Sequence, residues 1–225
     1  MSPRCAMILA AGRGERMRPL TDALPKPLAE VRGKPLIVYH LEKLARLGVD
    51  TVVINLAWLG QCVRETLGDG SRWGLGIRYS DEGAEALEAG GGILRALPWL
   101  GGEPFLVVNG DVFTQFDFGQ LALAPEALAQ LVVVPNPPHH AQGDFGLHDG
   151  RLTAPAPGAP PGTAPAWTYA GIGLYRAELF EGCKPGRFAL LPLLQRAIEA
   201  QRLLGQLYTG AWADVYSMEQ LAALQ

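Results

Sequence analysis

The chain has 225 residues and a formal net charge of -3, with 48% hydrophobic and 18% charged residues. These are the proportions of a folded α/β domain with a sizeable core, and the absence of a basic excess excludes a general nucleic-acid footprint. No apolar run reaches the roughly 18 residues of a membrane span, and the run from Ala6 to Ala11 is too short for a secretory segment. Cys5, Cys62 and Cys183 lie far apart without a CxxC pair, so they read as reduced thiols of a cytoplasmic protein.

In chain order, Met7-Ile8-Leu9 reads as a strand followed by a Gly-rich turn. Leu36, Ile37, Leu41, Leu44 and Leu47 recur at helical spacing and Gly48 stops them. Val52-Val53-Ile54 is a second strand, Leu59 to Leu67 a helix, and Ile77 to Tyr79 a third strand. Gly90, Gly91 and Gly92 precede a short helix over Gly92 to Leu97, and Phe105 to Val108 is a fourth strand that ends at Asn109-Gly110-Asp111. Strands separated by helices imply right-handed crossovers. The predicted fold is α/β and Rossmann-like, a mostly parallel mixed sheet flanked by helices. Ligands collect beyond the carboxyl ends of such strands, where both the Gly12 turn and Asp111 fall.

The second half is richer in strands: Leu131–Val134, Phe145–Leu147, Tyr169–Tyr175 and Leu204–Tyr208. Thr153 to Ala166 is mainly Pro, Ala and Gly and reads as an exposed loop. Ser217 and Gln220 have capping-box spacing ahead of a last helix. One domain over 1–225 is expected, with a first half over about 1–112 and an appended substrate-side lobe over about 113–225. His40 reads as a packed helix residue, the adjacent His139 and His140 as solvated, and Trp58, Trp73 and Trp99 as packing residues.

The chemistry concentrates in Leu9-Ala10-Ala11-Gly12-Arg13-Gly14-Glu15-Arg16-Met17-Arg18-Pro19-Leu20-Thr21 and in Pro25-Lys26-Pro27-Leu28. Small residues after a strand let the backbone approach a ligand, and successive N–H groups can cradle phosphate oxygens. Arg16, Arg18 and Lys26 add fixed positive charge. A dinucleotide fingerprint is excluded because Met17 stands where its third glycine would be, and a Walker loop because Lys26 lies between two prolines.

These two stretches, with Leu87-Glu88-Ala89-Gly90-Gly91-Gly92, Val108-Asn109-Gly110-Asp111-Val112 and Trp212-Ala213-Asp214-Val215, closely resemble the signature of sugar-1-phosphate nucleotidyltransferases over essentially the whole chain. The resemblance is to compact members without a C-terminal β-helix. It implies Mg2+-dependent transfer of UMP from UTP to N-acetylmuramic acid 1-phosphate, with pyrophosphate released, in peptidoglycan recycling. It further implies that Ala11, Gly12, Gly14, Glu15, Arg16, Lys26, Gly91 and Asn109 hold the nucleotide. Arg16 would meet the departing pyrophosphate, and Lys26 would stabilise charge on the α-phosphoryl group. Asp111 and Asp214 would bind magnesium, with Arg16, Lys26 and Asp111 as the catalytic set. Asn109, Asp144, Gly146 and Asp214 would face the sugar. The chain departs from the pattern at Ala89, where many relatives carry threonine, and at Val215-Tyr216-Ser217, where Val-Gly-Thr is frequent.

A phosphate monoester, with a second pKa near ~6, attacks as a dianion and needs no general base. The lack of a paired catalytic histidine therefore fits this chemistry. Expected partners are small molecules, UTP or another nucleoside triphosphate and a sugar 1-phosphate, with no nucleic acid or membrane and a monomer or small homo-oligomer. Two alternatives stay open: another sugar 1-phosphate or choline phosphate as acceptor, and a non-catalytic nucleotide-sugar-binding regulator.

Overall fold

The computed structural model describes residues 3–154 and 166–225. Strand β1 (Cys5–Leu9) runs into the Gly-rich turn, a short helix α1 (Leu20–Ala23) and the hairpin β2 (Glu30–Val31) and β3 (Lys34–Pro35). Helix α2 (Leu36–Leu47) presents Ile37, Leu41 and Leu44 to the core at the expected spacing. It ends at Gly48, whose φ of 84° is left-handed, and Val49 N–H closes the turn onto the Leu44 carbonyl at 3.1 Å. Strand β4 (Thr51–Leu56), helix α3 (Gly60–Leu67), strand β5 (Gly76–Asp81), helix α4 (Glu88–Leu100) and strand β6 (Phe105–Asn109) complete the alternating half.

The remaining strands are β7 (Val112–Thr114), β8 (Ala129–Val134), β9 (Phe145–His148), β10 (Arg151–Thr153), β11 (Ala166–Tyr175), β12 (Leu203–Leu207) and β13 (Trp212–Asp214). Helix α5 (Leu191–Glu199) precedes β12, and α6 (Met218–Ala223) follows β13. Nine strands form one sheet in the order β5-β4-β1-β6-β11-β8-β12-β10-β9. The β5-β4-β1-β6 part is parallel, as the alternation of strands and helices requires. The rest is mixed, because β11 runs antiparallel to both β6 and β8. Residues 155–165, most of the Pro-rich stretch, lie outside the described residues.

Successive strand residues point to opposite faces. Ala6 and Ile8 of β1 join α2 and α3 in one buried cluster, whereas Met7 joins Ile93 and Ala96 of α4 and Leu193 of α5 in another. Helices therefore cover both faces, as expected. A third cluster joins Met17, Leu36, Val215 and Leu221, and packs the C-terminal segment onto the turn after β1.

The structure corrects the reading of the Gly90-Gly91-Gly92 run. The helix begins at Glu88, so the glycines lie within its first turns rather than ahead of it. A Cβ on Gly90 would stand 2.5 Å from the Phe188 ring, and one on Gly91 would overlap the Gly186 carbonyl. Gly91 N–H also donates to the Phe188 carbonyl at 3.1 Å. These glycines let the 186–189 segment pack directly on the helix backbone. Gly91→Ala is accordingly expected to destabilise the fold by about 1–3 kcal/mol, read as a lowered urea midpoint at unchanged m-value.

His40 of α2 is buried and stacks on Phe118, with ring centroids 6.2 Å apart. Burial first, and then the Lys43 charge, bring its pKa down from 6.5 to about 4. Below pH 6.5 the unfolded chain takes up a proton that the folded chain refuses, so stability falls with pH across the window from 6.5 to about 4. The loss reaches about 3 kcal/mol at the acid end. Urea unfolding at pH 7 and pH 5 should show the decline, with a shallower slope in a folded His40→Phe variant.

Candidate functional site

A cavity of about 350 Å3 opens beyond the carboxyl ends of the parallel strands, walled by Leu9 at the end of β1 and Gly12 after it, Asn55 in β4, Asn109 at the end of β6 and Asp111 after it, and Lys26. Its position is the one that parallel α/β topology dictates. The backbone at Gly12 is open, with nothing within 4 Å of the place a Cβ would occupy. Gly14 serves a different need. Its φ of 69° is left-handed, and a Cβ there would lie 3.0 Å from Thr21 and 3.2 Å from Lys26. The Thr21 hydroxyl donates to the Gly14 carbonyl at 2.8 Å and closes the loop around this contact.

Lys26 reaches across the cavity mouth to Asp111, with Nζ 2.5 Å from Oδ2. Its side chain is only 13% exposed, against 32% for Asp111. Asp214, far away in sequence, arrives through β13, which pairs with β7 in the register Asp214↔Val112. Val215 N–H then donates to the Asp111 carbonyl at 2.9 Å. The backbones of sequence-distant Asp111 and Asp214 are thus joined, while the Asp214 carboxylate pairs with His139 and lines a second cavity walled by Pro135, Pro137 and Gly210. Ala11, Gly12 and Asn109 share the cavity wall with Lys26 and Asp111. Gly14 and Glu15 shape the adjoining turn, and Arg16 leans over the Tyr216 ring with Cζ 4.9 Å from its centroid. A Cβ on Gly91 would meet the Gly186 carbonyl, while its helix neighbours Glu88 and Ala89 line the cavity.

Asp144 and Gly146 are held by contacts of their own. Asp144 accepts from Tyr169 N–H at 2.7 Å and pairs with His140 Nε2 at 2.9 Å. Gly146 lies in the β9 ladder opposite Thr153 and Ala166, where a Cβ would press on the Thr153 hydroxyl. The two histidines read as solvated are each paired with an acid instead. His139 Nε2 lies 3.0 Å from Asp214 Oδ2, and its side chain is 24% exposed. The Pro135–Pro138 stretch reads as a loop in sequence, and nothing there reveals which side chains it will face. Trp58 is likewise more than packing: the Arg13 guanidinium lies 3.5 Å from its ring centroid.

Three participants have no motif of their own. Asn55 Oδ1 accepts from Ala10 N–H at 2.8 Å, and its amide donates to Glu82 at 2.8 Å. The other Glu82 oxygen accepts from Leu87 N–H at 2.7 Å, so two buried side chains tie the turn after β1 to the start of α4. Gly171, at φ 71°, sits where β11 shifts register, and a Cβ there would stand 2.7 Å from the Asn109 amide. The apolar runs Val52–Ile54 and Phe105–Val108 end just before Asn55 and Asn109, but the partners that each asparagine meets depend on tertiary register.

Among the described residues, no cluster of three or more His, Cys, Asp or Glu side chains could hold a metal by itself. Asp111 and Asp214 carry the hard carboxylate oxygens that magnesium prefers, of which it commonly takes one or two; here they are engaged with Lys26 and His139 respectively. Among the described residues, no helix is long and apolar enough to cross a membrane.

Comparison with known proteins agrees with this architecture. A family model described as nucleotidyl transferase matches residues 5–153. The chain is 48% identical to an N-acetylmuramate alpha-1-phosphate uridylyltransferase of Neisseria meningitidis serogroup B, over 98% of this chain and 96% of that protein. It is 34% identical to the protein of the same name from Caulobacter vibrioides, over 95% of this chain and 92% of the relative. A crystal structure from Bacillus anthracis, assigned as a glucose-1-phosphate thymidylyltransferase in complex with a sucrose, superposes with a TM-score of 0.84. It covers 98% of this chain and 93% of its own at 19% identity, a likeness of fold. With its turn, its cavity and its near-full-length relatives in agreement, the chain belongs to the nucleotidyl transferase family.

Proposed function

We propose that this chain transfers a uridylyl group from UTP to N-acetylmuramic acid 1-phosphate, giving UDP-N-acetylmuramic acid and pyrophosphate, a step suited to peptidoglycan recycling. The observation that carries the reading is the convergence of Lys26, Asp111 and the open Gly12 backbone on one cavity at the sheet rim. The 48% identity with a uridylyltransferase of that substrate supports the choice of base and acceptor. Residues 1–112 would hold the nucleotide and residues 113–225 would supply the acceptor side.

An oxygen of the sugar phosphate attacks the α-phosphorus of UTP, a new P–O bond forms, and the bond to the β-phosphate oxygen breaks in line. No proton need be removed, because the attacking phosphate is largely dianionic near pH 7. The difficulty is the meeting of two anions. Lys26, between prolines that restrict its backbone, offers its ammonium to the α-phosphoryl oxygens once they compete with Asp111 for it. Arg16 receives the departing pyrophosphate with planar donors. The turn at Ala11, Gly12 and Gly14 admits the triphosphate close to backbone N–H groups. Asp111 and Asp214 would hold Mg2+, which supplies charge neutralisation and a template for the phosphates. Asn109, fixed against Gly171, is within the cavity to orient the ribose or sugar. Asp144 and Gly146 would contribute at the sugar's far side.

A pyrophosphate-release screen of the four common nucleoside triphosphates against several sugar 1-phosphates and choline phosphate tests the reading. UTP with N-acetylmuramic acid 1-phosphate should give the highest kcat/KM; a preference for a different pair would sink the substrate assignment, and no release with any pair would favour a binding regulator. With the best pair, Lys26→Ala and Asp111→Ala should each lower kcat by about 10²–10³-fold, with folding verified by thermal melts. Chelation with EDTA should abolish turnover and added Mg2+ restore it; activity that persists in EDTA would remove the metal from the mechanism.

A further inference from the structure

Arg16 poses a physical question. A guanidinium that must meet a departing pyrophosphate has to be held in place without spending its donors on the holder. Among the described residues, no carboxylate forms an ion pair with Arg16, whereas the neighbouring Arg13 and Arg18 both lean on Asp22. What Arg16 does touch is the face of Tyr216, 4.9 Å from guanidinium carbon to ring centroid.

We propose that Tyr216 is a positioning residue for Arg16: its ring supports the face of the guanidinium so that the in-plane N–H donors remain free for the departing pyrophosphate. A cation over an aromatic face is held through the ring quadrupole, and the five N–H donors of arginine lie in the guanidinium plane. A carboxylate partner would occupy two of those donors and cancel the charge. An aromatic face does neither.

The ring is itself fixed from several directions. His139 packs on it, with ring centroids 4.1 Å apart and planes at 58°, while His139 Nε2 is held at 3.0 Å from Asp214. Tyr216 N–H donates to the Gln220 side chain at 2.9 Å, and Ser217 caps the last helix by accepting from Gln220 N–H at 3.3 Å. On either side in sequence, Met17 and Val215 are fully buried in one apolar cluster. Arg16 and Tyr216 are therefore the immediate neighbours of two residues buried in the same cluster. A glycine at this position, as in the Val-Gly-Thr pattern, offers no such surface.

The inference rests on the assignment of Arg16 to the pyrophosphate, and the experiment separates the two. UTP binding is measured by calorimetry without acceptor, alongside steady-state KM values for UTP and for the sugar 1-phosphate. Tyr216→Leu should weaken UTP binding and raise the UTP KM about three- to fivefold, leaving the acceptor KM within about twofold. Tyr216→Phe, which keeps the ring face, should stay within about twofold of wild type for both. In an Arg16→Ala background, Tyr216→Leu should add no further loss, since the two residues act as one unit. If leucine unfolds the C-terminal segment, Tyr216→Gln provides similar reach without an aromatic face. Unchanged UTP binding in the leucine or glutamine variant, or losses that add in the double variant, overturns the role of Tyr216. Wild-type protein that binds UTP but releases no pyrophosphate overturns uridylyl transfer and leaves the binding cycle to decide Tyr216. Wild-type protein that binds no UTP overturns both.

Discussion

The site depends on a backbone connection more than on any charged pair. Asp111 ends the run after β6, Asp214 ends β13, and nothing in their separation along the chain brings them together. The β7–β13 ladder does, reinforced by the hydrogen bond from Val215 N–H to the Asp111 carbonyl. Each such bond contributes only about 1 kcal/mol net. The apolar cluster of Met17, Leu36, Val215 and Leu221 supplies the larger part by burying side chains from three sequence-distant segments. Met17 thereby gains a meaning beyond its failure to be a glycine. It anchors the turn after β1 to the far end of the chain.

This construction separates what the amino-acid order discloses from what it conceals. Apolar periodicity suffices for β1, α2, β4, β5 and β6, because each element buries a face in its own short window. Gly48 announces its helix end for a local steric reason. Gly12 and Asp111 are likewise legible, since strand ends in parallel sheets converge on one rim, whereas Lys26 lies at no strand end and is marked only by its motif. The failures share a cause. Gly90 and Gly91 resemble loop residues until the 186–189 segment is seen packed on them. His139 is an ordinary loop histidine until β13 delivers Asp214 beside it. Asn55, Glu82 and Gly171 acquire roles only through neighbours that tertiary register selects.

Electrostatically, the rim is arranged as matched pairs rather than a positive field, in keeping with a net charge of -3. Lys26 is set against Asp111, and Arg13 and Arg18 against Asp22. Paired charges at a partly buried site limit the desolvation cost that isolated ones would carry. They also make the cations available to an incoming anion only through competition with the acids. The Asn55–Glu82 link holds the neighbouring wall with hydrogen bonds, so that it keeps its shape without adding charge to the cavity mouth.

The far end of the main sheet has a further effect. Strand β9 pairs with β10 through Arg151↔His148 and with β11 through Trp167↔Phe145, so β11, β8, β12, β10 and β9 curl into a closed ring. Ribbons that close upon themselves offer no unpaired row of amides to a passing molecule. Among the described residues, the open border of this sheet is β5, where exposed Arg78 and Asp81 interrupt its apolar character. Crowded solutions of the protein are thus guarded against ribbon-to-ribbon association at one side by topology and at the other by charge.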